Sequence, residues 1–137
     1  MKFRYLKHTA DYKIRVYGQD YLEVINNSLD ALKKFMLPKI KSDSLEVRQK
    51  IKVQSFDVPI LFVDFLNKVL NYIYAKNIFF IEFEGSIINK PPKIILQGYL
   101  KGYSFISLVK EIKAVTYHQC LFVKKNNRYI FEFIIDI

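Results

Sequence analysis

The residues best able to do chemistry stand at the end of the chain. It finishes YIFEFIIDI, an apolar run in which Asp136 and the carboxyl group of Ile137 put two negative charges at the end of what reads as a buried strand. Both groups are ionised at pH 7. A third carboxylate brought beside them is repelled by about 4 kcal/mol per close pair at an effective dielectric of about 20. A bound hard cation reverses that sign, and ligation by oxygen alone suits calcium, magnesium or manganese rather than zinc. Two other aspartates qualify as a third ligand: Asp11, at the start of the first strand, and Asp64, on an apolar helix. Spacing does not choose between them, and an ordinary solvated terminus is the competing and simpler expectation.

Other chemistry-bearing residues are fewer. His8 precedes Asp11 by three positions and reads more readily as a turn residue bonded to backbone. His118 has no accompanying Ser, Cys or Asp arrangement of the kind a nucleophilic catalyst needs, so a structural or partner-facing role is expected. Lys113 stands ready to neutralise the acidic end from a distance or to contact a partner. Asp64 has an obvious helix partner in Lys68, four residues on in the favourable orientation. The single cysteine, Cys120, reads as a small core residue; it excludes an internal disulfide, and no Cys/His cluster suggests zinc.

The elements that must position these residues follow from pattern. YKIRVYG alternates Tyr12, Ile14 and Val16 against Lys13, Arg15 and Tyr17, a half-buried strand closed by Gly18. Asp20, with Glu23 three residues on, caps a helix whose apolar residues Leu22, Ile25, Leu29, Leu32 and Met36 form one stripe, ending before Pro38. LEVRQKIKVQS returns to strand. Asp57 followed by Val58-Pro59 opens a second helix, about Val58 to Ala75, apolar on nearly every side except for Asp64, Asn67, Lys68 and Asn71. Four strands follow: NIFFIEFEGSII, KIILQGYLKG, EIKAVTYHQCLFVKK and RYIFEFIIDI. The order β-α-β-α-β-β-β-β predicts an α+β fold, two helices packed on a mostly antiparallel sheet, in a single domain spanning 1–137. Asn126-Asn127 suits a two-residue turn between the last strands. A regular ladder from that turn sets Asp136 opposite Tyr117 and His118 opposite Ile135.

Composition bounds the partners. A net charge of +9 points to nucleic acid or an acidic protein surface, but the lysines are scattered and no RNP-type strand motif or Gly-rich phosphate loop accompanies them, so a solvated basic surface is expected. MKFRYLKHTAD lacks the apolar region of a signal peptide, and the longest apolar stretch, VPILFVDFL, is short of the roughly 20 residues of a bilayer span. A cytoplasmic protein without a membrane partner is expected.

HTADYKIRVYG before an amphipathic helix, FVDFLNKVL on the second helix, EIKAVTYH, and the ending FIIDI occur in that order and resemble the archease family. The resemblance implies an archease-like fold and a non-enzymatic accessory protein for an RtcB-type RNA ligase in tRNA splicing and RNA repair. Such a protein speeds transfer of GMP to the ligase and allows multiple turnover. Some members also associate with a tRNA methyltransferase as a chaperone, which is the alternative function here, with a structural metal. The resemblance implies a divalent cation, most readily calcium, with magnesium or manganese as alternatives, held by Asp11, Asp136 and the carboxyl of Ile137. His8, Asp64, Lys113 and His118 then become candidates to orient those ligands or to face a partner, and RNA contact is indirect or weak. The segment GYSFISLVKEIKAVTYH is a departure, since family members usually carry a longer acidic stretch before KAVTYH. An independent hydrolase built on the acidic cluster is disfavoured, because no substrate-pocket signature accompanies it.

Overall fold

The computed structural model describes all residues except 8–10, and His8 therefore lies outside the described residues. The strands and helices run β1 (Phe3–Lys7), β2 (Tyr12–Gly18), α1 (Tyr21–Met36), β3 (Pro38–Ile40), β4 (Val47–Ser55), α2 (Val58–Lys76), β5 (Ile78–Lys90), β6 (Lys93–Leu108), β7 (Ala114–Lys125) and β8 (Arg128–Asp136). The α+β class with two helices and antiparallel strands is as expected. The chain adds two short strands, β1 and β3, to the expected order, and it forms two sheets rather than one.

The first sheet has the order β1-β2-β8-β7. In the second, the long strand β6 carries β5 along one side and β3 and β4 on the other. Both helices bridge the sheets: α1 packs on β2 and β5, and α2 on β7, β4 and β5. This arrangement explains why α2 is apolar almost all round. At 19 residues it has the length and composition of a bilayer span, yet Leu61, Phe62, Phe65, Leu66, Val69 and Ile73 are fully buried in the protein core. Phe62 anchors an aromatic cluster, edge-on to Phe122 at 4.9 Å and to Phe131 at 5.3 Å between ring centroids.

Both helices start as the sequence predicts. The Asp20 carboxylate accepts from the Glu23 amide at 2.8 Å, and the Asp57 carboxylate accepts from the Ile60 amide at 3.2 Å, each satisfying a donor the first turn leaves unpaired. Their ends are left-handed, at Leu37 (φ 49°) and Asn77 (φ 55°). Asn126 and Asn127 both take positive φ in the β7–β8 turn, as a two-residue hairpin of this twist requires.

Candidate functional site

The acidic end of the first sheet is built from the ends of three adjacent strands. In the β2–β8 ladder Tyr12 pairs with Ile135. Asp11 directly precedes Tyr12 and Asp136 directly follows Ile135, so the backbone sets the two aspartates side by side. Asp11 is half-buried, whereas Asp136 and Ile137 are exposed. The buried neighbours Ile14, Phe133 and Ile135 anchor both strands just inside the tip.

The β7–β8 register differs from the regular ladder. Pairing begins as expected with Lys125 opposite Arg128 and holds to Leu121 opposite Glu132. It then shifts across an irregularity between Thr116 and Leu121, where Gln119 turns to φ 55°. Asp136 therefore faces Ala114, not Tyr117, and Ile135 faces Val115, not His118. The extra residues sit in β7 because a bulge absorbs them without disturbing the buried β8. His118 is exposed within this bulge and is not brought to the acidic end.

The shift moves Lys113 to the place that matters. Its backbone amide donates to the Asp136 carbonyl at 2.7 Å, so its backbone lies beside the end of β8. It fixes the backbone of the last strand where the ladder would otherwise fray.

Asp64 is placed elsewhere. The hydroxyl of Tyr117 donates to its carboxylate, a bond that raises the tyrosine pKa above its ordinary value, with burial adding to the effect. The expected Asp64–Lys68 pair does not form; Lys68 instead donates to the Lys52 carbonyl at 3.1 Å. One turn along α2, Asn67 performs a task that sequence reasoning missed. Its side-chain amide donates to the Val115 carbonyl at 2.9 Å and its oxygen accepts from the Val115 amide at 2.8 Å. Because β7 is an edge strand, Asn67 stands in for a neighbouring strand at the first turn of the site. The visible signal was an asparagine on an otherwise apolar helix. Cys120 is half-buried against the core, and burial pushes its thiol pKa up.

Chemically, the three-strand end offers carboxylate oxygens at the surface, a donor set of the kind hard divalent cations take. Among the described residues no group of three His, Cys, Asp or Glu side chains converges. The arrangement is two neighbouring aspartates at the ends of β2 and β8.

Comparison with known proteins agrees with this architecture. The solution structure of a Methanobacterium thermoautotrophicum protein superposes with a TM-score of 0.82 at 25% identity, covering 99% of both chains. The crystal structure of a Thermotoga maritima archease, described as a possible chaperone, superposes with a TM-score of 0.63 at 18% identity, covering 96% of this chain and 94% of the other. By sequence the chain is 31% identical to the protein archease of Sulfurisphaera tokodaii over 99% of both chains. It is 32% identical to that of Methanosarcina barkeri over 99% of this chain and 96% of the other. Residues 3–137 match the archease protein family. The chain belongs to the archease family.

Proposed function

We propose that this archease is a cytoplasmic accessory protein that activates an RtcB-type RNA ligase, promoting its guanylylation and repeated turnover. Asp11, Asp136 and the carboxyl of Ile137 act as ligands of a divalent cation, calcium first, with magnesium and manganese as alternatives. Family membership supports the accessory role. The single observation that carries the residue assignment is the side-by-side placement of Asp11 and Asp136 at the ends of β2 and β8.

A cation bound there supplies concentrated positive charge with exchangeable positions for oxygen ligands. This chain's own residues do the rest. The β2–β8 ladder holds the two aspartate backbones in fixed relation, and the Lys113 amide pins the Asp136 carbonyl. Exposure of Asp136 and Ile137 puts the oxygens where a partner's active site can reach them.

The test is multiple-turnover RNA joining by a cognate ligase with GTP, in the presence of wild type, Asp11→Asn or Asp136→Asn. Wild type raises turnover, and each variant loses at least about tenfold of the stimulation, since mutating even the groups that only orient a metal's ligands costs that much, with an unchanged circular dichroism spectrum. Wild type without effect overturns the ligase assignment. The second reading, a chaperone for a tRNA methyltransferase with a structural metal, follows the description of the T. maritima relative as a possible chaperone. It predicts that the same variants lose function only in step with loss of thermal stability.

A further inference from the structure

The outer face of the second sheet carries a second charged surface, unrelated to the strand-end carboxylates. Along β4, Arg48, Lys50 and Lys52 alternate outward and are exposed, while Ile51 between them is buried. Their registered partners on β6 are Lys101, Tyr99 and Gln97. A groove of about 550 Å³ opens here, with Lys50, Lys52, Glu84, Ser86, Gln97 and Tyr99 on its walls. Beneath it the strands run close: Gly85 and Gly98 are in register with the buried Ile51, and a Cβ at either would lie 2.3 Å from a carbonyl oxygen of the facing strand.

Charge is unbalanced across this face. Glu84 and Glu82 on β5 are both engaged by Lys101, at 2.5 and 3.6 Å. Glu46, at the same end, adds its field to Lys101. Arg48, Lys50 and Lys52 form no ion pair among the described residues. Lys68 of α2 adds a fourth cation at the edge of β4, through its bond to the Lys52 carbonyl. Lys90 and Lys93 close the β5–β6 hairpin at the other end of the face.

We infer that this groove binds a single RNA strand, its phosphates on Arg48, Lys50 and Lys52 and a base on Tyr99. Alternate strand residues are about 6.6 Å apart, close to the separation of successive phosphates in an extended strand, so the three cations repeat at the ligand's own interval. Tyr99 is 42% exposed, and the Arg48 guanidinium lies 4.6 Å from its ring centroid. Ring and guanidinium together offer a stacking platform of the kind single-stranded nucleic acids use. An acidic protein segment satisfies the cations but leaves that platform without a planar partner.

The experiment is fluorescence anisotropy of a short labelled single-stranded RNA with the full chain, in EDTA so that the strand-end carboxylates hold no cation. Wild type binds, with affinity falling as salt rises. The double variant Lys50→Glu/Lys52→Glu weakens binding at least about tenfold and flattens the slope of log affinity on log salt by about 1.4, the value for two phosphate contacts. Tyr99→Ala weakens binding roughly ten- to a hundredfold with the slope retained. A control charge reversal on α1, Lys33→Glu/Lys34→Glu, leaves affinity within about twofold of wild type, since neither residue touches the groove. No binding at low salt overturns the proposal. Binding that ignores the β4 lysines overturns it as well. Equal displacement of the RNA by polyaspartate and by unlabelled RNA shows charge recognition without bases, and rejects RNA as the occupant.

Discussion

Two asparagines do work at the residue scale that no charged group in this chain could do as economically. Asn67 pairs with both backbone groups of Val115, and Asn26 of α1 does the same for Phe83 on β5, at 2.8 Å to the amide and 3.1 Å to the carbonyl. Each helix thus caps one edge strand of one sheet. Asn67→Ala leaves a donor and an acceptor at the nearly buried Val115 without partners, and is expected to cost about 1–3 kcal/mol by urea denaturation. A second residue-scale expectation concerns alkaline pH. Burial pushes Tyr5 from 10.0 up to about 12, and its hydroxyl donates to the Ala31 carbonyl at 2.8 Å. The folded state keeps this proton after the unfolded chain has lost it, so the contribution is fully present below about pH 10 and disappears between about 10 and 12. In Tyr5→Phe the decline of stability across that window is shallower, measured by urea denaturation at stepped pH. Tyr21, Tyr74 and Tyr117 are raised too, so the decline does not vanish. The strand-end place of Asp136 was legible from alternation, whereas spacing left Asp11 and Asp64 open and only the family resemblance chose Asp11. The role of Asn67 was not, because a bidentate side-chain bond to an edge strand has no periodicity. His118 was misplaced for a related reason: a bulge centred on a non-glycine positive φ at Gln119 leaves no composition signal.

At the scale of elements, the strongest patterns came through and the shortest did not. Both helices and the six longer strands follow from periodicity, capping aspartates and turn residues. β1, with five residues, and β3, with three, are too short to show a period, and both exist because a longer neighbour offers an unpaired edge. The apolar segment before KAVTYH is largely the end of β6, paired with β3; Phe105 and Leu108 pack on the core, while Ile106 and Val109 stay exposed. α2 is the element on which the rest depends. Phe62→Ala removes the hub of the aromatic cluster and is expected to cost about 3–5 kcal/mol, read as a lowered urea midpoint at constant slope. The end of α1 carries a strained residue, since Leu37 is 53% exposed and held at φ 49°. Leu37→Gly removes a conformational penalty of about 1–2 kcal/mol, offset in part by greater freedom of the unfolded glycine. A small net gain in thermal midpoint is expected.

Across the whole molecule, two charged regions of opposite sign lie on different sheets. The +9 net charge looked diffuse in the sequence because its lysines are scattered along the chain. The two-residue period of β4 turns Arg48, Lys50 and Lys52 to one face, while Asp11 and Asp136, 125 residues apart, meet through the β2–β8 ladder. The two-sheet division could not be read in advance. It depends on β8 pairing with β2 instead of β6, a long-range choice that local pattern does not encode. The proposed activity depends most on the acidic end of the first sheet being a cation site. Calorimetric titration of calcium into wild type, Asp11→Asn and Asp136→Asn tests this directly. Wild type is predicted to take up calcium, with each variant weakened at least about tenfold and unchanged in fold. No uptake by wild type, or equal uptake by all three proteins, contradicts the account.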